Sequence, residues 1–279
     1  MNKVLQTGLV FGGVAAGAGA FWFGRRALGR KARDEHTYAS MFGPAEVFCI
    51  QSEDGTDVRV LFVGGGFQSA TYLGERRFEP VFEYYRGFDH MFDAGFTIEN
   101  ILMLGGGGFS YPKHLLTSRE GVCIDAVEID PVIVKIARKH FYLGELEKAY
   151  GPKGQERLGV YTADALEFVR AAKDASYSVI INDSFDGANP QVSLLTNGAL
   201  AEAKRVLKPG GLYLLNAVIG EDEQDVLQTF MDVLLEQFTY VCAIPSIDEE
   251  FAGEDNYLIV ASDELYCFEG VVCSASSEA

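Results

Sequence analysis

Cysteine and histidine are scarce in this chain, and neither is arranged as metal ligands usually are. Among 279 residues there are five cysteines and four histidines, and no C-x-x-C pair occurs. Zinc sites place such residues at short, recurring spacings, so we expect no metal. An odd number of cysteines at wide spacings also predicts a reduced chain without a disulfide framework. The cysteines are Cys49, Cys123, Cys242, Cys267 and Cys273.

Basic residues are few for a chain of this length. Lysine and arginine number 23 against 40 aspartates and glutamates, which gives a formal net charge of −17. Six of the basic residues and none of the acidic ones lie within residues 1–33, so the rest of the chain is more acidic still. Such a surface repels nucleic acid phosphates and attracts cations over long range. The charge excludes a nucleic acid partner and favours a small cationic substrate, although acidity also simply keeps a domain soluble.

Charge is absent altogether from residues 4–24. A helix of this length would be about 30 Å long, enough to cross the core of a bilayer. The basic stretch RRALGRKAR follows directly, which predicts a membrane anchor with the body of the protein on the cytoplasmic side. Two alternatives remain open: Ala18-Gly19-Ala20 resembles a signal-peptide cleavage site, and a segment rich in glycine and alanine could be a soluble extension.

Beyond this hydrophobic helix and its basic flank (residues 1–33), the pattern divides the chain into two parts and a tail. Residues 34–76 contain short alternating strands and turns, typical of a small β-hairpin domain. Residues 77–268 alternate apolar strands with helices, which predicts an α/β fold with a doubly wound, Rossmann-like parallel sheet and an antiparallel final strand. Residues 269–279 are expected to form a disordered tail.

The strongest motif of the chain is ILMLGGGGFSYPKHLL, residues 101–116. An apolar strand runs into a glycine turn and then a helix, and the next strand, within DAVEIDP at 125–131, ends in Glu128. Glycines allow a backbone to approach a nucleotide closely, and the acid accepts hydrogen bonds from ribose hydroxyls. The pair predicts a nucleoside site at the edge of the sheet, although the glycine turn alone would also suit a nicotinamide dehydrogenase.

Three further acids follow later strands of the same predicted sheet. Asp164 follows the third strand, and Asp183 and Asp186 follow the fourth. A single acid after a strand is usually a helix cap. Because the carboxyl ends of parallel strands meet at one edge of a sheet, the whole set of acids beside a glycine turn indicates a ligand site instead.

With these residues the chain resembles the spermidine synthase family, the polyamine aminopropyltransferases, within the class I adenosylmethionine-dependent transferase fold. The resemblance covers about residues 45–265 and rests on the glycine turn, VEIDP, Asp164-Ala165 and the acids of DSFDG. It includes VRVLFVGGGFQSATYLGE, in which Gln68 matches an active-site glutamine of the family. The most similar variant is the group of synthase-like domains often fused to membrane transporters.

The resemblance implies a role for each matched residue. Gly105, Gly106 and Gly107 would pack against the nucleoside and its sulfonium chain, and Glu128 would bind the ribose hydroxyls. Asp164 with Ala165 would receive the adenine amino group. The co-substrate would be decarboxylated adenosylmethionine or adenosylmethionine, without a metal, and the protein would be a homodimer.

The same resemblance implies aminopropyl transfer to an amine such as putrescine, in polyamine biosynthesis. Asp183 would lie nearest the reacting centre, Asp186 would hold the far part of the amine, and Gln68 and Glu83 would also bind substrate. An amine with a pKa of about 10 arrives protonated. A carboxylate such as Asp183 can attract the ammonium group and then accept its proton.

Two positions depart from the pattern of the family, and both concern recognition of the amine. The glycine turn of the family carries an aspartate where this chain has Gly108, and the Y-H-E or Y-Q-E triplet matches Val81-Phe82-Glu83, which keeps only the acid. Loss of the aspartate removes a negative charge that would disfavour the carboxylate of adenosylmethionine. Two alternatives therefore stay open: a methyltransferase on a synthase scaffold, and a non-catalytic domain that binds nucleosides or polyamines.

Overall fold

The computed structural model describes residues 33–52, 55–186, 189–220, 224–246, 255–268, 271 and 273–276. Within these residues no helix is both long and apolar enough to cross a membrane. The anchor predicted at residues 4–24 lies outside the described residues.

The first part of the described chain is a four-stranded antiparallel sheet. Its strands are β1 (Arg33–Ser40), β2 (Gly43–Gln51), β3 (Asp57–Val63) and β4 (Gly66–Tyr72). They pair in chain order, each with the next. In the first half of β3 the buried Val58 and Val60 alternate with polar residues and face the main core. Leu61 and Val63, on the opposite face, are buried against α3 (Pro131–His140), so the second half of the strand is apolar on both faces. The predicted N-terminal hairpin sheet is confirmed.

A short helical segment joins this sheet to the second part of the chain. It consists of α1 (Tyr84–Gly87) and a 3-10 helix at Phe88–Ala94, and Gly74–Arg76 forms another 3-10 turn just before it. Aromatic rings from α1 and the following turn are buried against the central sheet, which holds α1 beside the carboxyl ends of its strands.

The second part is built on an eight-stranded mixed sheet. Its strands are β5 (Asn100–Leu104), β6 (Cys123–Glu128), β7 (Leu158–Thr162), β8 (Tyr177–Asn182), β11 (Leu207–Ile219), β12 (Tyr240–Ser246), β13 (Asp255–Ser262) and β14 (Cys273–Ala275). A separate pair of two-residue strands, β9 (Phe185–Asp186) and β10 (Asn189–Pro190), follows β8. The order across the sheet is β14-β12-β13-β11-β8-β5-β6-β7. Neighbours from β7 to β11 are parallel, and β13 is antiparallel to both β11 and β12. The predicted α/β fold is confirmed.

Helices alternate with the parallel strands and cover both faces of the sheet. They are α2 (Ser110–Ser118), α3 (Pro131–His140), α4 (Leu143–Tyr150), α5 (Ala165–Ala171), α6 (Asn197–Val206) and α7 (Gln224–Leu235), and Val192–Leu195 is a 3-10 turn. Side chains that accept hydrogen bonds from first-turn N–H groups define three of the helix starts: Asp130 at α3, Asp164 at α5 and Thr196 at α6. Pro131 follows the first of these caps, where its missing N–H costs nothing.

The core lies on both faces of the central sheet. In β5, Ile101 and Met103 face one way and Leu102 and Leu104 face the other, and all four are buried. The first face shares its hydrophobic cluster with the N-terminal sheet, including Phe48, and the second packs against α6 and α7. This two-sided burial explains why β5 is apolar without alternation.

Two predictions, a disordered C-terminal tail and a chain without disulfides, are contradicted by residues 273–275. Residues 273–275, expected in a disordered tail, form β14 at the edge of the sheet. In its ladder with β12, Cys273 lies opposite Cys242, and the two form a disulfide with Cα atoms 4.3 Å apart. The prediction of a chain without disulfides is therefore wrong. Antiparallel pairing brings directly opposite residues together, and a sequence separation of 31 residues gives no sign of it.

Candidate active site

The carboxyl ends of four neighbouring strands, β5 to β8, meet at one edge of the central sheet. Leu104 at the end of β5 lies between Val127 of β6 and Asn182 of β8. The residues that follow these positions are the glycine turn, the predicted ribose-binding acid and the predicted catalytic acid. They consequently lie side by side at the edge where open parallel sheets bind their ligands.

Gly105 begins the turn and makes its closest contact with the residue after β8. Its φ is +94°, and a Cβ at this position would collide with the carbonyl oxygen of Asp183. Two backbone hydrogen bonds fix this approach: Gly105 donates to Val127 at 2.9 Å, and Asp183 donates to Leu104 at 2.8 Å. Glycine is required here by both the dihedral angle and the contact.

Glu128 lies beneath the glycine turn and is 8% exposed. Its Oε2 accepts hydrogen bonds from the backbone of Gly106 at 3.1 Å and Gly107 at 3.0 Å, and its Oε1 accepts one from Asp130 at 3.0 Å. Burial raises the pKa of Glu128, and the three backbone donors offset part of that effect. Since a carboxylate has about four acceptor positions, Glu128 orders the turn and keeps capacity for a ribose hydroxyl.

Asp164 is exposed and caps α5, where it accepts a hydrogen bond from the Glu167 N–H at 2.9 Å. The preceding Ala163 donates its N–H to the carbonyl of Glu128 at 3.1 Å, which keeps Asp164 and Ala165 next to Glu128. Asp164 thus has the ordinary role of an acid after a strand. Its contact with an adenine amino group stays a prediction, as does that of Ala165.

Asp183 follows β8 and is partly buried. Asn216 on β11 donates its Nδ2–H to Oδ1 of Asp183 at 2.8 Å, and the Tyr84 hydroxyl lies 3.5 Å from Oδ2, at the outer limit of a hydrogen bond. Burial raises the pKa of Asp183 to about 7, and the donors from Asn216 and Tyr84 offset part of the rise. Near neutral pH the carboxyl group can therefore both lose and accept a proton.

Two tyrosines of α1 border Asp183, and the sequence analysis missed both. The rings of Tyr84 and Tyr85 are 4.1 Å apart. Burial, followed by the charge of Asp183, raises the pKa of each, so both present neutral hydroxyls. The signal that could have found them is the tyrosine pair itself, which directly follows the triplet matched to the family.

Glu83 and Asp186 were expected to bind substrate. The side chain of Glu83 is 52% exposed, and its carboxylate pairs with Arg86 at 3.1 Å. The group that reaches Asp183 from this segment is the hydroxyl of Tyr84 instead. Asp186 pairs through its backbone with Asn189 in the β9–β10 ladder. The roles of Glu83 and Asp186 toward an amine stay predictions.

The strand β4 closes the other side of the glycine turn. Gln68 lies against it, because a Cβ on Gly107 would be 3.3 Å from the Gln68 carbonyl oxygen. A Cβ on Gly108 would be 2.8 Å from the Cβ of Ser69 and 3.0 Å from the ring of Phe141. The aspartate that the family carries at this position would not fit without displacing these neighbours. Its absence is therefore built into the packing of β4 on the turn.

In the part of the chain that the structure describes, no group of three or more His, Cys, Asp or Glu side chains is arranged to hold a metal ion. The acids at the sheet edge are engaged otherwise: Glu128 with backbone donors, Asp164 with a helix start and Asp183 with Asn216.

Known proteins share parts of this sequence and its fold. Residues 87–253, more than half of the chain, match the family described as Spermine/spermidine synthase domain. A polyamine aminopropyltransferase of Prochlorococcus marinus (strain NATL1A) is 32% identical over 143 residues, which cover 51% of this chain and 48% of that protein. The chain thus spans about half the length of the curated relatives it matches.

Solved structures show the same fold. A probable spermidine synthase from Corynebacterium glutamicum ATCC 13032 superposes with a TM-score of 0.67 at 22% identity, covering 85% of this chain and 83% of that one. A spermidine synthase in complex with the transition state analogue AdoDATO gives a TM-score of 0.61 at 18% identity, covering 84% and 74%. At these identities the likeness concerns the fold alone.

Proposed function

The chain belongs to the spermine/spermidine synthase family, and we propose on this basis that it transfers an aminopropyl group from decarboxylated adenosylmethionine to a small amine such as putrescine. The observation that carries the proposal is the placement of Asp183. Its backbone packs against the glycine turn, and its carboxyl group accepts a hydrogen bond from Asn216 and faces the hydroxyl of Tyr84. This is where a proton acceptor for an attacking amine is needed.

The residues around the glycine turn suit an adenosyl donor. Glu128 can still accept a hydrogen bond from a ribose hydroxyl. The adjacent Ile129 is apolar and 36% exposed, so it offers an apolar surface to a nucleoside. The hydroxyl oxygen of Ser184 is buried and has no hydrogen-bond partner among the described residues. Ser184 borders the turn, since a Cβ on Gly105 would be 3.1 Å from its Cα. An unsatisfied buried hydroxyl costs about 1–3 kcal/mol, so a ligand that bonds to it would bind more tightly.

The donor, when bound, supplies a carbon activated by the sulfonium; the amine nitrogen attacks it, and the carbon–sulfur bond breaks with its electron pair passing to sulfur. Asp183 first attracts the ammonium form of the acceptor and then takes the proton that the nitrogen must lose. Raising its pKa from 3.8 to about 7 makes this transfer less unfavourable. At 1.36 kcal/mol per pKa unit, the raised value reduces the cost of taking the proton by about 4 kcal/mol.

The test is a transfer assay with the full chain, decarboxylated adenosylmethionine and putrescine. Mass spectrometry should detect spermidine and methylthioadenosine in equal amounts. The Asp183→Asn variant should lose transfer but still bind the donor in a calorimetric titration. Asp174→Asn removes the same charge from a side chain that is 78% exposed, and it should leave transfer unchanged. Absence of spermidine with the unaltered protein would refute the proposal.

One observation favours methyl transfer as the second candidate. The packing at Gly108 leaves no room for the aspartate of the family, so the glycine turn itself carries no charge that repels the carboxylate of adenosylmethionine. The two reactions leave different nucleosides, adenosylhomocysteine after methyl transfer and methylthioadenosine after aminopropyl transfer. Calorimetric titration with adenosylmethionine and with its decarboxylated form shows which donor is preferred, and the product nucleoside decides between the reactions.

A further inference from the structure

Two buried asparagines form a hydrogen-bonded chain that ends on Asp183. Asn256 on β13 donates from Nδ2 to Oδ1 of Asn216 on β11 at 2.8 Å, and Asn216 donates from Nδ2 to Oδ1 of Asp183 at 2.8 Å. Asn216 is 4% exposed and Asn256 8%. Because Asn216 pairs with Leu258 across the ladder, Asn256 is its diagonal neighbour on the same face of the sheet.

Asn216 interrupts a run of buried apolar residues, and Asn256 lies just before another. β11 is otherwise apolar from Leu212 to Ala217, and the residues of β13 from Leu258 to Ala261 are apolar and buried. Burying an amide costs free energy unless it is hydrogen-bonded, and an apolar pair of similar shape would serve the sheet as well. The sheet itself therefore gives no reason for two amides at these positions.

The two hydrogen bonds also determine how the amide of Asn216 is oriented. If the amide of Asn216 were reversed, its oxygen would face the carboxylate of Asp183 and its NH₂ would face the NH₂ of Asn256. Both hydrogen bonds would be lost, since an amide donates at one end and accepts at the other. Asn256 thereby holds the donor of Asn216 toward Asp183.

Resting on the function proposed above, we propose that Asn216 and Asn256 are positioning residues for the transfer reaction. Asn256 sets the orientation of Asn216, and Asn216 holds Oδ1 of Asp183, so that Oδ2 is presented beside Tyr84 to the amine. Neither asparagine needs to touch substrate for this role.

The ionisable groups that face Asp183 among the described residues are Tyr84 and Tyr85, both neutral because their pKa values are raised. The hydrogen bond from Asn216 lowers the pKa of Asp183 against the effect of burial. Loss of this donor should therefore raise the pKa of Asp183 further. Removal of Asn256 leaves the Asn216 amide free to reverse, and this should also raise the pKa of Asp183.

The experiment compares Asn216→Leu and Asn256→Leu with the unaltered full-length protein. Carbon-13 NMR titration of the Asp183 carboxyl group, assigned with the Asp183→Asn variant, measures its pKa directly. A hydrogen bond to a charged group corresponds to about 1–2 pH units, and we expect an upward shift of this size for Asn216→Leu and a smaller one for Asn256→Leu. In the transfer assay, kcat should fall, and the acidic limb of the pH profile of kcat should move to higher pH. The KM for the donor should stay unchanged.

Tyr213→Phe is the matched control. It removes a buried hydrogen bond of β11, which Asn182 donates to the Tyr213 hydroxyl, and it removes no hydrogen bond to Asp183. This variant should leave the pKa of Asp183 unchanged. An unshifted titration in Asn256→Leu, or an equal shift in Tyr213→Phe, would overturn the proposal. The NMR titration does not depend on turnover. Absence of transfer activity would therefore refute the proposed function, while the titration would still test the role of the two asparagines.

Discussion

Replacing Asp183 by asparagine should stabilise the protein above neutral pH. Burial raises the pKa of Asp183 from 3.8 to about 7 in the folded protein. The stability that the protonated carboxyl group contributes is complete below its unfolded pKa and is lost as pH rises through the folded pKa. Above pH 7 the folded protein therefore carries an ionised group that the unfolded chain accommodates better, and asparagine removes that penalty.

The size of the gain follows from the shift. About three pKa units at 1.36 kcal/mol each give an upper limit of about 4 kcal/mol in the free energy of unfolding. Because Asp183 keeps some exposed surface, we expect about 2–4 kcal/mol at high pH. Asparagine has the same shape and keeps an oxygen for the hydrogen bond from Asn216, so no cavity or lost contact opposes the gain.

Urea unfolding of the two proteins at about pH 6 and about pH 8.5 measures the effect, and the gain should be about 1 kcal/mol larger at the higher pH. Asp174→Asn serves as the control, since the exposed pair with Arg205 contributes only about 0–1 kcal/mol. A gain that is equal at both pH values, or a loss of stability at pH 8.5, would refute the reasoning that Asp183 is desolvated.

Three further predictions concern the glycine turn, its acid and the disulfide. Glu128→Gln should weaken calorimetric binding of adenosyl donors by about 1.5–3 kcal/mol, the worth of hydrogen bonds to a charged group, and equal affinity would exclude Glu128 from the nucleoside site. Gly105→Ala should lower the free energy of unfolding by about 1–3 kcal/mol or more, because alanine is strained at positive φ; Gly198→Ala, where a Cβ meets nothing within 4 Å, is its control. Reduction of the disulfide, which links residues 31 apart, should cost about 3–4 kcal/mol and lower the melting temperature. The melting temperature of Cys242→Ser should not respond to reductant, and a response there would assign the effect elsewhere.

The sequence by itself determined the fold class and the main acids of the candidate site. A buried parallel strand such as β5 is apolar on both faces, and its glycine turn and following helix are local features that a short window of sequence contains. Glu128 and Asp183 could be proposed because the first ends a strand and the second directly follows one, and the carboxyl ends of parallel strands meet at one edge of the sheet. These inferences need only periodicity and chain order.

Tertiary structure alone decided what surrounds Asp183. Tyr84 reaches it from a segment 99 residues away. Asn216 reaches it through the parallel register of β8 and β11, and Asn256 reaches Asn216 through the antiparallel register of β11 and β13. The disulfide at the sheet edge likewise depends on one ladder pairing between β12 and β14. Hydrogen bonds and disulfides act over a few ångströms between side chains, whereas sequence patterns record only which face of an element is buried. Register and packing therefore decided which polar groups meet, and with them the protonation of the candidate catalytic acid.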